Sequence, residues 1–283
     1  MRDAPRGLCF AGQVWDLFRV QLTNWRWSWP QMVLTGMLAP LVGLAGLGLF
    51  ARHSGGEAGA YVMTGSVTMA ILFETQNKIA SNFSFLRNTG AFEFYAALPV
   101  RREALVLATL AAFFLLSLPA VLLTVAAGTL LLDVPLRPSP LLPVCLALAL
   151  LPSAGLGALI GSRSASIEQA TSVSLATTLL MLALGPVAVP PALLPETLVW
   201  IGHLNPAVHA SAALRSALTG TGEPAGHLTV LAVFSVAAWG LTTVRMRWRA
   251  RAPRAPHGPR GTRGTRRTRA ERVPSPPPEE KHS

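Results

Sequence analysis

Charged residues cut this chain into long uncharged runs. They extend from Trp27 to Ala51 (25 residues), Ala58 to Phe73 (16), Ala104 to Leu132 (29), Pro138 to Ser162 (25), Gln169 to Pro195 (27) and Pro224 to Val244 (21). About 20 mostly apolar helical residues cross the hydrocarbon of a bilayer. Five runs reach that length outright. The run from Ala58 reaches it only by continuing through Glu74, Thr75, Gln76, Asn77 and Lys78, so its last turns must be polar. The pattern predicts an all-α membrane protein with six transmembrane helices, at about 31–51, 58–80, 104–132, 140–162, 169–190 and 225–244.

A further uncharged run, Thr197 to Leu214, holds His203, Asn205, Pro206 and His209. Proline and the nearby polar groups would leave backbone groups unsatisfied in lipid. Counting it as a span would also place the Arg-rich C-terminus opposite the N-terminus, against the tendency of basic segments to stay cytoplasmic. It is read as an external re-entrant or surface-lying hairpin around Trp200, Asn205 and Pro206; packing against spans five and six is the alternative.

With six spans and the N-terminus inside, 21 Lys and Arg fall on the cytoplasmic side and three, Arg52, Arg137 and Arg215, outside. That asymmetry places both termini in the cytoplasm. Asp16 and Arg19 interrupt any apolar stretch near the start, so no signal peptide is expected. Phe10, Val14, Phe18 and Leu22 recur every four residues, and Trp25, Trp27 and Trp29 follow. This pattern predicts an N-terminal interfacial helix, an elbow on the membrane surface, rather than a solvent-facing lead-in.

Composition agrees with a membrane body and adds one feature. The chain is 51 % apolar and 13 % charged, where a soluble domain carries about 25 % charge. Its net charge is nevertheless +11, because residues 245–283 hold 12 Lys and Arg against three acidic residues. The domain division is therefore a transmembrane region, 1–244, and a disordered basic cytoplasmic tail, 245–283. Tethered below span six, the tail is read as fixing topology and resting on anionic lipid, with no nucleic-acid partner. Cys9 and Cys145 are expected as free thiols. Two lysines against 22 arginines, with abundant Ala, Gly and Pro, suggest a G+C-rich bacterial source.

Several chemistries lack their residues. Lys78 and Lys281 stand in Asn77-Lys78-Ile79 and Glu280-Lys281-His282, so neither completes a phosphate-binding loop. His203 and His209 are six apart, which turns them to different faces of one helix and argues against a metal site. No Gly-x-Ser-x-Gly elbow occurs. Gly157 and Gly161 have the four-residue spacing of close helix packing. An ion-coupled secondary carrier would show repeated halves and several intramembrane charges; only Glu74 and Lys78 qualify. That carrier and a non-catalytic membrane scaffold are the alternatives to the reading below.

Residues 87–105, Arg87-Asn88-Thr89-Gly90-Ala91-Phe92-Glu93-Phe94-Tyr95-Ala96-Ala97-Leu98-Pro99-Val100-Arg101-Arg102-Glu103-Ala104-Leu105, resemble the cytoplasmic loop of the type-two ABC export permease family. There a glycine precedes a short helix and a Leu-Pro-x-x-Arg turn leads into span three. From the residues alone, Glu93 begins a short helix, Pro99 ends it and Arg101 and Arg102 mark the membrane boundary. Ala154 to Arg163, Glu168-Gln169-Ala170, Pro190-Pro191, Leu194 to Leu198, Leu204-Asn205-Pro206-Ala207 and Ala213-Leu214-Arg215 are similar to the family's C-terminal half in order and spacing. Two departures stand out: the usual Ser-Gly element reads Leu184-Gly185-Pro186, and the charged cluster before Gly90 is reduced to Arg87.

The resemblance implies a drug-export-like permease subunit in the bacterial plasma membrane, pairing with a second copy or a sister permease. Separate ABC ATPase subunits would carry ATP and magnesium, with no cofactor in this chain. It also implies that Arg87, Gly90, Glu93, Pro99, Arg101 and Arg102 form a cytoplasmic coupling helix and loop that touch the ATPase. Glu74 has two readings. It either pairs with Lys78 at i+4 near the interface, or gates substrate from within the membrane.

Overall fold

The computed structural model describes residues 9–25, 29–54, 56–98 and 100–245. Among them the chain is helical, with no strand. The elements are α1 (Phe10–Trp25), α2 (Trp29–Ser54), α3 (Gly56–Ile71), a π-helical segment (Leu72–Asn77), α4 (Lys78–Asn88), α5 (Ala91–Ala97), α6 (Arg102–Leu132), α7 (Leu142–Arg163), α8 (Ile167–Ala183), a 3₁₀ turn (Pro191–Leu193), α9 (Glu196–Gly202), α10 (Pro206–Thr219) and α11 (Ala225–Arg245). The tail from residue 246 onward, Trp27 and Pro99 lie outside the described residues.

Three of these helices, spanning Glu103–Leu132, Leu142–Arg163 and Ala225–Thr242, are long and apolar enough to cross a membrane. The other expected spans differ for local reasons. Within α2 the described apolar stretch is Gly36–Leu49, and α8 is a shorter apolar helix that stops at Ala183 rather than 190. It stops because the next turn holds Gly185, at φ 127°, and Pro186. The second expected span runs further than 58–80. Its backbone stays helical from Gly56 to Asn88 but passes through the π-helical segment at the point where the sequence turns polar.

The main core joins Val67 and Ile71 of α3, Val121 of α6, Cys145, Ala149 and Leu150 of α7, Ala210, Ala213 and Leu214 of α10, and Leu231 of α11. Helix α10 is thus a bundle element, buried along Ala210–Leu214, and it packs against α3, α7 and α11. Two arginines close helix ends by donating to terminal carbonyls. Arg52 bonds Leu131 O on α6. Arg87 Nη1 bonds Ser162 O at 3.0 Å and Ser164 O at 3.2 Å, at the end of α7.

At the start of α8, Ser166 Oγ accepts from Gln169 N at 3.1 Å, while Gln169 Oε1 accepts from Ala165 N at 2.7 Å. This reciprocal cap gives the Glu168-Gln169 element a structural reason. Glu168 sits exposed in that first turn. Its own backbone N–H, and then the Ser166 hydroxyl, hold its carboxyl below the usual carboxylate range.

Candidate functional site: a coupling loop and a buried polar seam

The chain reverses between α4 and α5 at Gly90, whose φ of 75° is left-handed backbone that glycine adopts without strain. Helix α5 therefore begins at Ala91, two residues before Glu93. It ends at Ala97, with Leu98 extended (φ −84°, ψ 151°), as a residue before proline prefers. Phe92 turns inward, its ring centroid 5.9 Å from that of Phe83. Phe92, Tyr95 and Val100 pack against Leu17 of α1 and Ala104, Leu105 and Ala108 of α6. Phe94, 65 % exposed, faces out.

The N-terminal helix and this loop are one unit. Gln13 Oε1 accepts from Arg101 N at 3.1 Å, and Gln21 Nε2 donates to Thr109 Oγ1 at 3.0 Å. Gln13, Leu17 and Gln21 are the buried residues of α1. The stripe expected from the sequence flanks this buried line: Phe10 is exposed, and Val14 and Phe18, half-buried, pack against the same cluster around Leu17 and Ala104. The glutamines face inward because their amides satisfy polar groups of α6. Arg101 has an exposed side chain. Glu93 lies in α5 and Arg102 opens α6, with both side chains outside the described part. Arg87 is turned toward the end of α7.

About three turns back along the helix from Arg87, the π-helical segment (Leu72–Asn77) sends three consecutive residues to three neighbours. Glu74, 1 % exposed, pairs through Oε2 with Lys78, and its Oε1 lies so close to α2 that a Cβ on Gly36 would overlap it. Thr75 Oγ1 meets Ser153 Oγ of α7 at 3.0 Å. Gln76 Nε2 donates to Ser174 O of α8 at 3.3 Å. The wider π turn provides this fan of directions, and such turns recur at functional sites. Ser81 and Thr171 continue the line at 3.1 Å. Helix α7 comes close enough to cover this segment because Gly157 and Gly161 have no side chain; a Cβ at either would strike the backbone of Gln76 or Ala80.

The seam is polar yet incompletely bonded. Glu74 Oε1, Gln76 Oε1, Asn77 Oδ1, Ser174 Oγ and Thr178 Oγ1 are buried without a hydrogen-bond partner. An unpaired buried polar atom costs about 1–3 kcal/mol, so groups left this way call for an explanation in function or in a bound molecule. Of these, the sequence singled out Glu74 alone. Thr171, Ser174 and Thr178, at helical spacing on α8, were the signal for the rest.

At the other end of the bundle Asn205 joins two helices. Its Oδ1 caps α10 by accepting from Ala207 N at 3.0 Å, and its Nδ2 donates to Met181 O and Leu184 O, both at 2.6 Å, at the end of α8. Pro206 occupies the first turn of α10, where no intrahelical N–H is needed. Trp200 is 70 % exposed. His209 Nε2 donates to His203 O (3.0 Å), and its Nδ1 shares a hydrogen bond with His227 Nδ1, also at 3.0 Å. Nothing in the residue pattern signalled that pair, nor Arg215 stacking 3.6 Å over the Tyr61 ring. Among the described residues no group of three or more His, Cys, Asp or Glu could hold a metal ion.

Long apolar helices packed around an internal polar seam define a membrane protein built as a transport domain. Residues 12–219 match the family described as ABC-2 type transporter, and the chain belongs to that family. The match runs from α1 through α10 and so contains both the loop around α5 and the seam. Members are transport membrane domains, generally not themselves catalytic, which generally work with ABC ATPase partners. No curated protein matches the chain.

Proposed function

We propose that this chain is the permease subunit of an ABC exporter in a bacterial plasma membrane. Helices α2, the continuous helix from Gly56 to Asn88, α6, α7, α8 and α11 form six spans within 1–244. Both termini are cytoplasmic, α9 and the start of α10 form the external hairpin, and 245–283 is a basic tail along anionic lipid. Two such permeases, identical or sister chains, enclose the substrate path. Separate ATPase subunits bind ATP and magnesium.

The observation that carries this reading is the joined base of the molecule. Closure of an ATPase against α5, through the exposed Phe94 and through Glu93, would push a helix that cannot move without α1 and α6, because Leu17, Gln13 and Phe92 lock them together. Arg87 passes the same motion to the end of α7. The π-helical seam lies directly above on the same continuous helix, so displacement of α4 would reach Glu74. This supports a gating role for Glu74 in addition to its local pairing with Lys78.

Co-expression with the ATPase of the same operon and affinity purification through this chain tests the assembly. An ATPase that copurifies, and whose turnover depends on this chain, is expected. The charge reversal Glu93→Lys should reduce that dependence while leaving the permease folded. Unchanged coupling and export in Glu93→Lys would remove α5 as the docking element, and absence of any associated ATPase would remove the exporter assignment.

A further inference from the structure

A groove of about 430 Å³ opens on the surface between α6, α7 and α11, the three helices that are long and apolar enough to cross a membrane. Leu107 and Leu110 line one wall, Leu151 and Gly155 the floor, and Val236 and Gly240 the other wall. Two hydroxyl residues also line it, but both are spent on their own surroundings. Ser235 Oγ donates to Leu231 O at 2.6 Å, and Thr242 Oγ1 lies 2.7 Å from Ala238 O and 3.2 Å from Gly155 O. The groove therefore offers an occupant apolar contact alone.

Its position along the helices supplies the second observation. Leu107 lies five residues beyond Arg102 at the start of α6, Ala158 five before Arg163 at the end of α7, and Thr242 three before Arg245 at the end of α11. At 1.5 Å per residue all three arginine-bearing ends stand roughly 4–8 Å along the helix axes from the groove, on the same side of it. Arg101 and Arg163 are exposed there, with Glu103 on the first turn of α6 as an acidic neighbour. Asp133 and Glu223 stand at the opposite ends of α6 and α11. A dry apolar slot within the membrane-crossing part of three helices, ending beneath arginines, has the chemistry of an acyl chain below a phosphate.

We infer that the α6–α7–α11 groove binds an anionic phospholipid, one acyl chain lying in the slot and the headgroup phosphate resting at the end that carries the exposed Arg101 and Arg163. This site is separate from the polar seam and shares only its arginine end with the loop before α6, and it holds whether or not the chain is an exporter. The lipid would fill a gap that leaves α11 thinly covered, and so fix that helix against α6 and α7.

The test uses the full-length chain purified in mild detergent with dioleoyl phosphatidylglycerol or dioleoyl phosphatidylcholine, read by native mass spectrometry and by thermal unfolding. A Cβ at Gly240, on the groove wall, meets nothing within 4 Å, so the side chain of Gly240→Phe starts in open space and is placed to occupy the slot. Wild-type protein should retain phosphatidylglycerol and melt higher with it than with phosphatidylcholine, and Gly240→Phe should lose both effects. Arg163→Gln should keep lipid binding while lowering the preference for phosphatidylglycerol about fivefold. Equal retention by wild type and Gly240→Phe, or no preference for the anionic lipid, would overturn the site. So would a Val236→Cys disulfide between two copies in vesicles, which would make the groove's occupant a second chain.

Discussion

The helix from Gly56 to Asn88 is two different objects on one backbone. In its first half, Val62, Met63, Val67, Ala70 and Ile71 are buried by shape alone. Thr64 and Thr68 there return their hydroxyls to their own helix, at Ala60 O and Thr64 O, both at 2.9 Å. In the second half, Thr75 also returns a bond to its own helix at Ile71 O (2.6 Å) but meets Ser153 of α7 as well, Gln76 reaches α8, and Glu74, Gln76 and Asn77 each keep a buried oxygen without a partner. The first half is held as a core is held. The second exchanges stability for reach, which is what the gating role proposed for Glu74 requires.

Removing the clearance that the polar half depends on should have the largest effect. Gly157→Leu and Gly161→Leu place a Cβ onto the backbone of Gln76 or Ala80. Overpacking typically costs about 1–3 kcal/mol and more where backbone must shift, so little folded protein is expected by size-exclusion chromatography. Gly46→Leu, with open space around its Cβ, should behave as wild type. Equal yields from all three would mean that α7 and the π-helical segment are not in close contact.

Glu74→Ala is expected to come next. It strips Lys78 of its carboxylate partner in a buried setting, a change worth about 3–5 kcal/mol when one member of a buried pair is lost. Glu74→Leu combined with Lys78→Met should recover most of that loss in thermal unfolding, because an apolar pair needs no compensation. Recovered stability without recovered export would separate gating from folding; recovery of both would leave the pair with a structural role only.

The smallest effects test the comparison most sharply. Thr68→Val, in the apolar half, removes a made hydrogen bond and should cost about 1 kcal/mol. Ser174→Ala and Thr178→Val remove hydroxyls without partners and should be neutral or stabilising in the same assay. Losses for Ser174→Ala and Thr178→Val as large as that for Thr68→Val would show that the seam holds a bound molecule.

Much of this architecture is legible in the sequence because membrane crossing needs only a long uncharged run, and the limits of α6, α7 and α11 fall within two residues of those expected. Gly157 and Gly161 were readable as a close-packing pair, and Gly90 with Leu98 before Pro99 as the limits of a short helix. The π turn was not readable, since its extra residue is favoured by Ser153, Ser174 and Gly36, which arrive from three other helices. The inward line of α1 was hidden for the same reason: Gln13 is turned inward by Arg101, 88 residues away. Burial of α10 was hidden because Asn205, Pro206 and the histidines gave its run the look of a surface hairpin, whereas Asn205 and Pro206 serve as its cap and first turn.

The double bond of Asn205 to Met181 O and Leu184 O, together with its cap on α10, has a consequence for chain length. Both ends of the connection between α8 and α10 are pinned by a single amide, and Val187, fully buried with its carbonyl accepting from Ser211 Oγ at 2.6 Å, holds its first turn, so length can vary only at the exposed positions further along. A peptide tag inserted beside the exposed Leu193 or Trp200 should be accepted, whereas one added residue between Asn205 and Ala207 would release both helices at once.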